Sequence, residues 1–105
     1  MKSYLLGSGY QHLTADVDFS INERKNPWGV NDDITFEYLY RQIKERNTDQ
    51  PWHTAFLTLS SHEPFEVPYH RLKEKIPNAF AFTDDCLGKF IDKLKALPQW
   101  KDLLV

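Results

Sequence analysis

Cysteine is almost missing from this chain of 105 residues: Cys86 stands alone, which rules out an internal disulfide and leaves no Cys pair for a metal knuckle. The redox compartment is therefore unreadable. A surplus of one charge is missing as well, since 13 basic and 15 acidic residues are interspersed along the chain for a net charge of −2. That balance carries neither a nucleic-acid footprint nor a polybasic membrane patch. Long apolar runs are absent: the longest are a few residues, against the roughly 20 needed to cross a bilayer, and the N-terminus has no signal-peptide pattern. No membrane segment is expected, and the sequence assigns no location.

What is present is globular in character. Hydrophobic residues make up 41% of the chain and aromatic residues 14%, including three Trp and seven Phe. Residues 1–105 are expected to form one small domain with one core, burying about 65% of the surface of the unfolded chain.

Along the chain, "KSYLL" followed by "GSG" suits a short helix closed by Gly7 or Gly9. Residues 10–31, with Asp, Ser, Asn, Pro27 and Gly29 among scattered apolar positions, predict a long loop. Such loops are uncommon in compact domains unless they are functional or pack on something else. Asn31 or Asp32 can cap a helix from about 32 to 46, because Phe36, Leu39, Tyr40 and Ile43 recur at helical spacing. "WHTAFLTLS" (52–60) has the β-branched, aromatic and apolar composition of a strand buried on both faces. A second long helix is expected from about 79 to 97, capped by Asn78, with Phe80, Leu87, Phe90, Ile91, Leu94 and Leu97 on one stripe. The closing "KDLLV" predicts the start of another strand. The fold class that follows is α/β: a partial parallel-sheet β-α-β piece with two long helices, residues 54–60 and 102–105 being parallel neighbours through a right-handed crossover. Two short strands do not cover both faces of such a sheet, so the chain reads as part of a larger one.

The chemistry concentrates at the end of the expected strand. His62 stands just beyond its carboxyl end, where open α/β sheets bind ligands, and an imidazole there can contact an anionic oxygen or a metal. The plainer alternative is that Ser60, Ser61 and His62 satisfy loop backbone groups. A metal cluster of His62, Glu63, Glu66 and His70 is disfavoured, because Pro64 and Pro68 prevent a helix from aligning those ligands. Ser60 or Ser61 as nucleophile with His62 as base is equally weak, since neighbouring residues seldom reach one another in that way and no elbow glycines flank them. His12 and His53 read as surface or hydrogen-bonded histidines. Asp84 and Asp85 are expected in the first turns of a helix, as acids that suit its dipole. Phe80, Phe82 and Phe90 read as core. Trp28, beside Gly29, is either a plug over a helix N-terminus or the wall of a substrate groove.

Six strings taken in order carry a resemblance: "YLLGSGYQHL", "DVDF", "NPWGVNDDITFEYLY", "FLTLSSHEPFEVP", "FTDDCLGKFIDKLK" and "LPQWKDLLV". Together they resemble the middle of bacterial sulfatase-like phosphotransferases of the alkaline phosphatase superfamily, in the branch of lipoteichoic acid synthases and phosphoglycerol transferases. The likeness spans nearly the whole chain. It is weaker to phosphoethanolamine transferases, which carry Ser-His-Gly-Pro where this chain has Ser61-His62-Glu63-Pro64. The resemblance implies an alkaline-phosphatase-like fold of which residues 1–105 are an incomplete segment, and a phosphate or sulfate ester substrate. It implies a divalent metal (Mn, Mg, Zn or Ca) in full-length relatives, which are membrane-anchored with an extracytoplasmic catalytic domain. It maps a substrate-phosphate contact onto His62. The family's nucleophile and first metal ligands lie upstream of the segment equivalent to Met1, and an Asp-His ligand pair follows the segment equivalent to "KDLLV". No catalytic residue, metal ligand or cofactor is thus assigned to this chain, and the isolated polypeptide is expected to be inactive. Two other readings stand beside it. One is a non-catalytic module that self-associates through exposed sheet edges, a homodimer being the simplest form. The other is a small hydrolase built on Ser61, His62 and an acid elsewhere.

Overall fold

The computed structural model describes residues 2–26 and 28–105; Met1 and Pro27, one of the breakers in the long loop, lie outside the described residues. Among the described residues three α-helices follow in chain order: α1 (Lys2–Gly7), α2 (Asp32–Glu45) and α3 (Lys75–Lys95). Short 3-10 turns occupy Asp16–Asp18, Ile21–Glu23 and Pro98–Asp102.

Helix α1 ends as its glycines predict. Gly9 has φ 99°, and the amide of Tyr10 donates to the Leu5 carbonyl at 3.4 Å, closing the last turn. None of its residues is buried.

The core lies between α2 and α3. Phe36 and Ile43 of α2 are buried against Phe82, Cys86, Phe90 and Leu94 of α3, recurring at spacings of seven and of four that return to the same helix face. Phe36 is the hub: its ring centroid lies 5.2 Å from that of Phe90 and 4.5 Å from that of Phe56 in the irregular segment between α2 and α3. Tyr69 meets Phe82 edge-on at 5.1 Å, and Trp100 and Leu103 close the seam from the C-terminal turn.

The expected α/β sheet is absent. Among the described residues there is no strand, and the pairing is confined to an isolated bridge between Asn26 and Gly29. A strand exists by virtue of ladder hydrogen bonds to a neighbour, and residues 51–59 have none, so β-rich composition alone leaves them without regular structure. They are not buried on both faces either: Phe56 and Leu59 are partly covered, while Leu57 is 67% exposed. The C-terminal strand start is likewise replaced. Pro98 opens a 3-10 turn that brings Trp100 and Leu103, three residues apart, to the core. With no sheet, self-association through sheet edges has no edge to use among the described residues.

Helix α3 also departs from expectation. It starts at Lys75, not near 79, so Asn78 lies inside its first turns. The Asn78 side chain instead folds back on the entering loop, accepting from the amides of Arg71 (2.8 Å) and Leu72 (3.1 Å) and donating to the Tyr69 carbonyl (2.8 Å). Asp84 and Asp85 consequently sit in the helix interior. Asp85 pairs with Lys89 one turn on, at 2.8 Å, and that hydrogen bond holds its carboxyl below the usual range. The buried stripe is Ala79, Phe82, Cys86, Phe90 and Leu94; Phe80 and Leu87 belong to the outer face and are 55% and 41% exposed.

The accessible surface, 8056 Å², exceeds the roughly 6,100 Å² of a compact monomer of this mass. The radius of gyration, 15.0 Å, likewise exceeds about 13 Å. One seam cannot cover this many apolar residues. No described helix is long and apolar enough to cross a membrane.

Candidate functional site

The first residues of α2 pack against the turn that bears His62. Asn31 precedes the helix with an extended backbone, yet its side chain makes no capping bond. The cap comes from a distance: the amide of Asp32 donates to Ser60 Oγ at 2.9 Å. An N-terminal helix amide needs some acceptor because it has no carbonyl one turn earlier, and here a residue 28 positions later supplies it.

Asp32 returns the contact. Its Oδ1 accepts from the amides of Leu59 (2.7 Å) and Ser60 (3.2 Å), and its Oδ2 accepts from Thr83 Oγ1 of α3 (2.7 Å). Asp32 and Ser60 are both fully buried. A buried carboxylate is stable only with such a set of donors around it. Alongside, Asn26 Nδ2 donates to Asn31 Oδ1 (3.5 Å) and to the Glu66 carbonyl (3.4 Å), while its Oδ1 accepts from the Trp28 amide (3.0 Å). Gly29 follows with φ 142°, and a Cβ there would meet Asp16 Cβ at 3.2 Å and Leu59 Cδ2 at 3.6 Å. Only glycine allows this close passage of backbone.

The turn itself is built from two consecutive hydrogen bonds: His62 N donates to the Leu59 carbonyl and Phe65 N to the His62 carbonyl, both at 2.8 Å. The Glu63–Pro64 bond is cis, and Phe65 has φ 61°. His62 is exposed, with Nδ1 2.9 Å from the Glu63 carbonyl oxygen. A carbonyl can only accept, so Nδ1 carries the proton and Nε2 is the atom through which the ring acts. Donation from Nε2 to an anionic oxygen requires a ring that carries hydrogen on both nitrogens. Trp28 stands beside it, ring centroids 5.6 Å apart at 60°. At 62% exposed, Trp28 is not a plug over the helix end.

The other candidates separate. His53 Nε2 lies 3.1 Å from Tyr10 Oη, a hydrogen-bonded surface histidine. Glu66 pairs with Lys75 at 3.6 Å, and His62 turns Nδ1 to its own loop. Among the described residues no three His, Cys, Asp or Glu side chains are grouped to hold a metal ion, so these residues do not fit a divalent metal by themselves. Ser60 Oγ is sealed against the α2 N-terminus and is no nucleophile. Phe82 and Phe90 are core; Phe80 is not.

Asn26, Asp32 and Thr83 escaped the sequence reading as partners of this turn. One signal was available for Thr83: a hydroxyl between Phe82 and Cys86 on the buried side of a helix needs a partner. Nothing local names Asp32 as that partner, 51 positions away.

The family model described as Sulfatase matches residues 4–105. No solved structure matches the chain.

Proposed function

The chain belongs to the sulfatase family, and from that premise we propose that it contributes the His62 turn to a metal-dependent site acting on phosphate or sulfate esters. Sulfatase-family enzymes act on sulfate esters and use a divalent metal. The narrower reading, phosphoglycerol transfer as in lipoteichoic acid synthases, is supported by the ordered strings around "NPWGVNDD" and "SSHEPF". His62 has the role of an electrostatic contact: Nε2, protonated, donates to a phosphate or sulfate oxygen. The carrying observation is the anchored ring: exposed, fixed through Nδ1 and flanked by Trp28.

The chain alone is proposed to be without turnover. Ester transfer requires a nucleophile and a charge-neutralising ion in one preorganised pocket, and among the described residues no three His, Cys, Asp or Glu side chains are grouped to hold such an ion. The large uncovered surface fits a segment that works inside a larger catalytic domain. Purified protein supplied with manganese, magnesium or zinc and an aryl phosphodiester or aryl sulfate is expected to release product only at background. Turnover that disappears in His62→Ala refutes the inactivity. Inorganic phosphate is expected to shift the His62 ring proton resonances. Resonances that ignore phosphate refute the anion contact.

A further inference from the structure

Asp32 does more than fill a buried space. Its Oδ1 holds the amide of Leu59, and the carbonyl of that same residue holds the amide of His62. Leu59 is therefore gripped on one side by the carboxylate and grips the candidate histidine on the other. The Ser60 amide, also on Oδ1, removes rotation about the same turn, and Thr83 on Oδ2 fixes the carboxylate to α3. Through Asn31 and Asn26, the same helix end reaches the backbone amide of Trp28, the aromatic neighbour of the His62 ring. Both halves of the His62–Trp28 pair thus take their position from the first residues of α2.

We propose that Asp32 is the positioning residue of this site: with Thr83 as its support, it sets the turn that aims His62 beside Trp28. Its importance for an anionic ligand rests on the reading of His62 given above, but the placement of the ring stands without it. Only the Leu59 and His62 backbones intervene between the Asp32 carboxylate and the imidazole, so the effect is one of geometry, transmitted by hydrogen bonds. Asp33, one residue along, makes no such contact in the turn and is exposed, which makes it the control for a general effect of helix-end charge.

The test is ring-proton NMR of His62 in phosphate-free buffer, with amide exchange at Leu59, Ser60 and His62. In the parent chain, Trp28→Ala reports the part of the His62 ring shift that Trp28 supplies. Asp32→Ala is expected to abolish that part of the shift and to speed exchange at the three amides by about tenfold or more, with the Phe36 and Phe90 ring signals retained. Asp32→Asn keeps an acceptor for the Leu59 and Ser60 amides and is expected to restore both readouts; Asp33→Ala should leave them at parental values. Should Asp32→Ala fail to fold, Thr83→Val decides: it withdraws one donor without changing side-chain volume much, and the His62 shift is expected to move part of the way. Unchanged His62 shifts and amide exchange in a folded Asp32→Ala, or unchanged shifts in Thr83→Val where Asp32→Ala does not fold, overturn the proposal. A phosphate titration of the same samples is separate: if the parental His62 resonances do not respond, the anion contact fails while the positioning result is still read from the phosphate-free shifts.

Discussion

Two of the links between helix α2 and α3 are of opposite chemistry. Phe36 and Ile43 meet Phe82, Cys86, Phe90 and Leu94 through apolar contact, whereas Asp32, one turn before Phe36, meets Thr83 through a partly buried hydrogen bond at 2.7 Å. The apolar seam is nondirectional: it rewards area removed from water and tolerates small shifts of register. The polar knot is directional, and each donor and acceptor in it must be in place or remain unsatisfied. The seam therefore supplies adhesion, while the knot decides how the 59–65 turn sits on the helix ends. A third link, Lys93 with Glu37, lowers the Glu37 carboxyl pKa chiefly through its hydrogen bond, yet both groups are solvent-accessible and the pair contributes little to stability.

The largest effect should come from breaking the seam. Phe36→Ala removes the ring shared by Phe56 and Phe90 and is expected to destabilise the chain by about 3–5 kcal/mol, measured by urea unfolding; a loss below about 1 kcal/mol contradicts the hub role. Breaking the knot should be milder and more local. Ser60→Ala deprives the Asp32 amide of its acceptor inside the protein, costing about 1–3 kcal/mol. Faster amide exchange confined to residues 31–32 and 59–62 is the accompanying signature, and uniform acceleration across α3 would contradict the division drawn here.

The smallest effect sharpens the comparison, because it is felt by a seam residue that the charges at the start of α2 also reach. Burial, followed by the charges of Asp33, Asp32 and Asp85, pushes the Cys86 thiol from 9.0 up to about 12. A raised folded-state value means that the thiol's contribution is complete below about 9 and is lost as the pH climbs toward about 12. Stability should thus fall by roughly 1 kcal/mol by pH 10 through this group, with the thiol unreactive to aromatic disulfides until the chain unfolds. Cys86→Ala should flatten this alkaline slope; an unchanged slope would assign it to other groups.

Legibility followed the same division. The α2 pattern was visible because Phe36, Leu39, Tyr40 and Ile43 repeat at the helical period. The α3 stripe is only partly legible, since Phe80 and Leu87 satisfy a helical spacing as well as Phe82 and Cys86 do; which face turns inward depends on where the helix begins and what it meets. The false strand at 52–60 had suitable composition but no neighbour to pair with. At the site, the irregular turn around His62 was announced by Pro64 and Pro68, and its address at the end of an apolar segment marked it as a candidate. The support beneath it was hidden: "NDD" carries the ordinary signature of a helix start, and nothing in it distinguishes an aspartate facing water from one facing Ser60 and Thr83.

The sequence by itself determined the helical periods, the glycine closure after α1 and the family to which the chain belongs, because these depend on residues near one another or on an ordered set of short strings. Tertiary structure alone decided that residues 51–59 pair with no strand, that Asp32 is buried rather than solvated, and that Trp28 stands beside His62. Those outcomes depend on partners 28 to 51 positions apart, and a hydrogen bond between distant residues leaves no period in the chain that makes it.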